Sequence, residues 1–196
     1  MECETPDKFS GGTTEMDTTY IGGLAGNMHE SRKEKLIQGR GSVGKTPIHG
    51  ILQRGTENKA SQIRAAVIGT NGINDTITHV HQVVTRGTHV CTDEARAYDN
   101  LINDYVHQAV DHSVAYVAGN VHCNGVENFW SLLKRAIKGT YVAIAPYHLF
   151  RYVAEQVFRF NYRELSDGTR FWLLLNHVFN KRLTYRMLAG VDSAGF

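Results

Sequence analysis

The order in which the hydrophobic period changes along this chain limits its fold more than any other feature. Thr14 to Ile21 (TEMDTTYI) is β-branched and alternates with period two, which reads as a strand carrying Asp17. Two further strand-like runs, Ile48–Gln53 and Gln62–Ile68, flank the turn-like RGTENK. Residues 74–84 (NDTITHVHQVV) open on an Asn cap and read as a helix, against their β-branched content. The short run His89–Thr92 then ends on Asp93. Beyond it the pattern becomes helical. Asn124 to Lys138 (NGVENFWSLLKRAIK) stops at Gly139, Pro146–Leu165 has Pro in its first turn, and an apolar segment follows at Phe171–Phe179. Strands first, then strand–helix alternation with acids at element ends, point to an α/β fold with helices covering a mixed sheet.

The length of 196 residues suits one domain, expected over residues 14–190, with a flexible lead-in at 1–13 and a tail at 191–196. Three cysteines with no close pair argue against a disulfide framework and a Cys-x-x-Cys zinc site, and fit a reducing cytoplasm. No apolar run approaches a membrane span, and MECETPDKFSGG has no signal-peptide core. A net charge of +2 does not by itself indicate nucleic-acid binding, so the distribution of charge has to carry that argument. One concentration lies in the Gly-rich excursion 22–45, where Arg32, Lys33, Lys35, Arg40 and Lys45 oppose Glu30 and Glu34, a local net of +3.

Three acids stand on three different elements: Asp17 within a strand, Asp93 at a strand end and Glu127 on a helix. Two-metal phosphoryl chemistry requires such convergence, because carboxylates must hold two ions about 3.5–4 Å apart. Hard oxygen ligands suit Mg²⁺ or Mn²⁺. On the helix, Lys134 falls within roughly 20° of Glu127, two turns along, with Asn124 and Ser131 on the same side. Phe129, Trp130, Leu132, Leu133, Ala136 and Ile137 occupy the remainder, so one face is polar and one is core. Each acid also has a bland reading. Asn124-x-x-Glu127 fits a capping box, Asp17 a solvated strand position, and Asp93 the cap of the turn that starts EARAYDNL.

The segments TEMDTTYIGG, CTDEARAYDNL and HCNGVENFWSLLKRAIKGTY resemble the DDE transposases of bacterial insertion sequences. The group concerned usually carries a zinc ribbon ahead of a ribonuclease-H-like catalytic domain of the integrase superfamily. The likeness continues through PYHLFRYVAEQVFRFNYRE and RLTYRMLAG, covering nearly the whole chain from about Thr14. The resemblance implies a mixed five-stranded sheet flanked by helices, with Asp17, Asp93 and Glu127 as catalytic and metal-binding residues for two Mg²⁺ or Mn²⁺ ions. It implies cleavage at transposon ends and strand transfer into target DNA, by a homo-oligomer on double-stranded DNA, without a membrane or a nucleotide cofactor. Lys134, Arg135, Lys138, Arg40, Lys45 and Asn124 are the expected DNA contacts, Asn124 being also a candidate at the metal shell. The sequence departs from the group in three respects: Thr18 stands where Glu is common, Cys123 where Thr is usual, and no zinc ribbon precedes Asp17. The alternative expectation is therefore a truncated, non-catalytic remnant that folds and binds DNA or a partner.

Residues 39–46 (GRGSVGKT) match the P-loop pattern literally, but that motif needs a buried strand before it and a helix after it. The polar NMHESRKEKLIQ precedes it and the strand-like TPIHGILQ follows, so a DNA-contacting or solvated loop is the better reading. His79 and His81 lack a third ligand in sequence and read as a satisfied surface or core pair. Trp130, Phe158, Phe160 and Tyr162, at helical spacing, read as core lining. Arg151, Arg159 and Arg163 add cations to the carboxyl-terminal half.

Overall fold

A ten-residue strand, β1 (Thr13–Gly22), is the centre of a five-stranded sheet of order β3-β2-β1-β4-β5. The other strands are β2 (Lys45–Gln53), β3 (Gln62–Val67), β4 (His89–Asp93) and β5 (Val106–Val110). The helices are α1 (Ile73–Val83), α2 (Asn124–Ala136), α3 (Leu149–Asn161), α4 (Asp167–Val178) and the single turn α5 (Tyr185–Leu188). This computed structural model describes residues 7–22, 45–69, 73–93, 98, 103–110, 122–141, 144–179 and 181–189.

The sheet is mixed. β1, β2 and β3 form an antiparallel meander, whereas β4 runs parallel to β1 and β5 parallel to β4. Both faces of β1 are covered, and its alternation sorts side chains between two cores. Met16 joins Ile51, Val80, Val83, Val90, Tyr98 and Tyr105 on the α1 side. On the other face Ile48, Leu52, Ile63 and Cys91 pack against Val126, Phe129, Trp130 and Leu133 of α2 and Leu149, Val153 and Phe160 of α3. The expected α/β architecture, a mixed five-stranded sheet flanked by helices, is the one observed.

Several local expectations change. Phe9, inside the segment read as a flexible lead-in, is buried; its N–H donates to Val83 O at 2.8 Å and its carbonyl accepts from Thr85 N–H at 2.9 Å. β5 had no counterpart in the sequence reading. Only five residues long, with His and Gln among them, VHQAV has too little pattern of its own and takes its extended form from pairing with β4. Gly139 does not terminate α2 in a left-handed cap. The helix runs on through a π turn over Ile137–Tyr141, and Gly139 is not among the glycines of positive φ. The segment Pro146–Leu165 is a short 3₁₀ turn, Pro146–His148, followed by α3, which ends at Asn161. The apolar run 171–179 does form helix α4, capped by Ser166, but no described residue of α4 is buried. No described helix is long and apolar enough to cross a membrane.

Candidate active site

The parallel register of β1 and β4 sets the backbone positions of the first two acids side by side. Thr13 lies opposite His89 and Met16 opposite Thr92, so the next step along both strands sets residue 17 beside residue 93. Neighbouring strands are about 5 Å apart. Asp93 is the last residue of β4; its side chain lies outside the described residues.

The third acid is connected through α2. The indole Nε1–H of Trp130 donates to Asp17 Oδ2 at 2.8 Å, and the backbone N–H of Thr18 donates to Asp17 Oδ1 at 2.7 Å. Glu127 precedes Trp130 by three residues, hence one helical turn, and such positions are neighbours on a helix surface. Asp17 is half-buried and Glu127 exposed. The approach depends on Gly50, which faces Asp17 across the β1–β2 ladder. A Cβ at Gly50 would stand 2.6 Å from Trp130 Cζ2, in the space the indole fills to reach the carboxylate.

The polar face of α2 is as the helical spacing requires. Asn124, Glu127, Ser131, Lys134 and Arg135 are exposed, and Lys138 continues the exposed surface into the π turn, while Val126, Phe129, Trp130 and Leu133 are buried. Lys45 is exposed at the start of β2, paired with Gly22, at the end of the sheet toward which β1 and β4 run. Arg40 and most of the basic excursion lie outside the described residues, as do residues 39–44 of the P-loop match. Lys45 and Thr46 open β2, so a strand rather than a helix follows that match.

The capping-box reading of Asn124 and Glu127 is overturned. Cys123 is the N-cap of α2 and makes no side-chain cap bond; Asn124 already lies in the helix. The cap comes instead from β1. Glu15 Oε2 accepts the N–H groups of Gly125 at 2.7 Å and Val126 at 3.0 Å. Its Oε1 accepts Arg54 Nε–H at 2.7 Å and lies 3.4 Å from His122 Nδ1. Sequence reading missed Glu15, Arg54, His122 and the polar role of Trp130. The one available signal was an acid two positions before Asp17 within a β-branched strand.

Behind β1, on the α1 face, His49 Nδ1 and His79 Nδ1 are 2.8 Å apart, so one imidazole donates and the other accepts. Burial, then the neighbouring Arg64 guanidinium, hold His79 down to about 4; burial, then His79, push His49 well below its ordinary value. His81 meets Tyr105 Oη at 3.2 Å and Asp104 at 3.6 Å, so the two histidines belong to separate contacts rather than one chelate. Trp130 and Phe160 line the core as expected, whereas Tyr162 is exposed. Cys91 and Cys123 are buried and form no disulfide. Among the described side chains no group of three His, Cys, Asp or Glu could hold a metal ion, and Asp93 stands outside that set.

Among solved structures, the chain is similar to part of a simian T-cell lymphotropic virus intasome determined by cryoEM in complex with PP2A regulatory subunit B56 gamma. The identity is 11%, the TM-score 0.42, and the match covers 88% of this chain and 56% of that one. The chain thus spans little more than half the length of that protein. No curated protein sequence matches it. The family description "ISXO2-like transposase domain" matches residues 9–161, from the buried Phe9 through β1, β4 and α2 to the last residue of α3. The chain belongs to the ISXO2-like transposase domain family.

Proposed function

We propose that this chain is a DNA transposase catalytic domain in which Asp17, Asp93 and Glu127 hold two Mg²⁺ or Mn²⁺ ions. The observation that carries the reading is the joint placement of the acids' backbones: residue 17 beside residue 93 in the sheet, and Asp17 bonded to Trp130 on the helix of Glu127. The donor set fits the ions, because carboxylate oxygens are hard ligands and the described thiols are buried structural groups. When bound, such ions would activate an attacking oxygen and stabilise a leaving one.

The protein's own part is positional. Trp130 and the Thr18 amide orient the Asp17 carboxylate, as hydrogen bonds do for metal-binding acids generally. Lys134, Arg135, Lys138, Lys45, Arg40 and Asn124 would hold DNA phosphates beside the acids. In the first step water attacks phosphorus at a transposon end and the 3′-oxygen leaves, taking a proton. In the second that 3′-hydroxyl attacks a target phosphodiester, and a new 3′-hydroxyl leaves. One P–O bond forms for each that breaks, so one site serves both steps. Assembly of two or more copies on paired ends belongs to the same reading.

Strand transfer on pre-cut ends with Mn²⁺ tests it. Activity should fall by more than a hundredfold in Asp93→Asn while calorimetric Mn²⁺ binding weakens in parallel. Silence of the wild-type chain with Mn²⁺, in a protein that still folds and binds DNA, would assign it to the non-catalytic remnant instead.

A further inference from the structure

The Glu15 cluster is an unusual way to cap a helix. Glu15 is 1% exposed, and its carboxylate gathers the Arg54 guanidinium, His122 and the backbone N–H groups of Gly125 and Val126, 110 and 111 positions away in sequence. Arg54 Nη2–H also donates to His122 O at 2.7 Å, clamping the residue just ahead of the helix. A Ser or Asp at the N-cap would satisfy those amides locally without burying a charge. What a local cap would not supply is a fixed relation between β1 and α2. Gly125 is part of the device, because a Cβ there would lie 2.8 Å from Glu15 Oε2 and 3.1 Å from Leu52 Cδ2.

The spacing gives the cluster its meaning. Glu15 and Asp17 are two residues apart on β1, about 7 Å, and alternate positions share one face. On α2, the step from the amides of Gly125 and Val126 to Trp130 is four to five residues, also about 7 Å of helix rise. Strand and helix therefore meet at two points in matching steps, Glu15 at the helix start and Asp17 at Trp130. Glu127 lies between the two points. The geometry points to Glu15 as a positioning residue that seats the first turn of α2, so that Glu127 is held over the aspartates of β1 and β4. This inference rests on the reading of Glu127 as a metal ligand.

Two full-length variants test it by different routes. Glu15→Gln removes the charge, whereas Gly125→Ala leaves every charge in place, favours helix formation intrinsically and pushes the first turn off Glu15. Trp130 and Trp172 are the two tryptophans, and Trp172, at 66% exposure, is an internal reference for indole N–H exchange measured by NMR. At a temperature where each protein is folded, both variants should speed exchange of the Trp130 indole at least tenfold and weaken Mn²⁺ binding at least tenfold, with Trp172 unchanged. A merely structural role would lower Tm and leave the Mn²⁺ Kd of the folded chain unmoved, and that result overturns the assignment. So does unchanged Trp130 exchange in either folded variant; if Glu15→Gln fails to fold, Gly125→Ala decides alone. If wild-type Mn²⁺ binding proves insensitive to Asp17→Asn and Glu127→Gln, the metal reading itself has failed, and Trp130 exchange still decides whether Glu15 seats the helix.

Discussion

Lowering the pH from 7 to 5 should cost the folded chain about 2 kcal/mol through His79 alone. In the folded state burial and Arg64 hold this imidazole at about 4, while in the unfolded chain it titrates near the ordinary value of 6.5. Between those values the unfolded chain binds a proton that the folded chain refuses. The contribution is therefore fully present above pH 6.5 and is lost as the pH falls toward 4. Each unit of separation corresponds to about 1.4 kcal/mol, so the full loss is about 3 kcal/mol, of which about 2 is reached by pH 5. His49, fully buried and shifted in the same direction, adds to it. The consequence reaches the candidate site because His49 lies opposite Thr18 on β1, next to Asp17. Urea unfolding of wild type and His79→Asn at pH 7, 6 and 5 would measure it, with the difference between the two proteins removing the shared titration of other groups. The wild-type curve should fall more steeply. Parallel curves would refute the argument that the His49–His79 pair is held neutral.

Two other substitutions probe the packing that supports the site. Gly50→Ala should destabilise the chain by about 1–3 kcal/mol, the usual cost of overpacking, and weaken Mn²⁺ binding, because its Cβ would displace the Trp130 indole from Asp17; thermal denaturation and calorimetry read the two effects. Asn161→Ala should cost about 1–3 kcal/mol in denaturant unfolding, since its side-chain amide donates to Ile63 O at 2.9 Å and accepts Ile63 N–H at 2.8 Å, closing the edge strand β3 against α3.

The parts of this architecture that repeat a period were legible in the chain itself. β-branched alternation delivered β1 and the location of Asp17, and the Val126, Phe129, Trp130, Leu133 stripe delivered the buried face of α2. Helix α1 was readable only from its ends, because Thr and Val inside it favour strand; the burial of Val80 and Val83 outweighs that preference. β5 was not legible, since a short parallel edge strand borrows its conformation from a neighbour. The site was legible as a set of acids but not as a device. Asn124-x-x-Glu127 satisfies a local capping rule, and a local rule cannot register that Glu15 has already taken the helix amides from the far side of the sequence. Trp130 reads correctly as core, but its acceptor becomes visible only when Gly50 opens space beside Asp17.

In the proposed site, two aspartates of adjoining strands and a glutamate of α2 bind cations together. Anomalous scattering from crystals soaked in Mn²⁺ tests it most directly. Peaks should be bound by carboxylate oxygens of Asp17, Asp93 and Glu127 at about 2.0–2.2 Å and, where two ions bind, lie about 3.5–4 Å apart. Manganese found only elsewhere, or an ordered Asp93 or Glu127 carboxylate turned away from Asp17 in the soaked crystal, would contradict it.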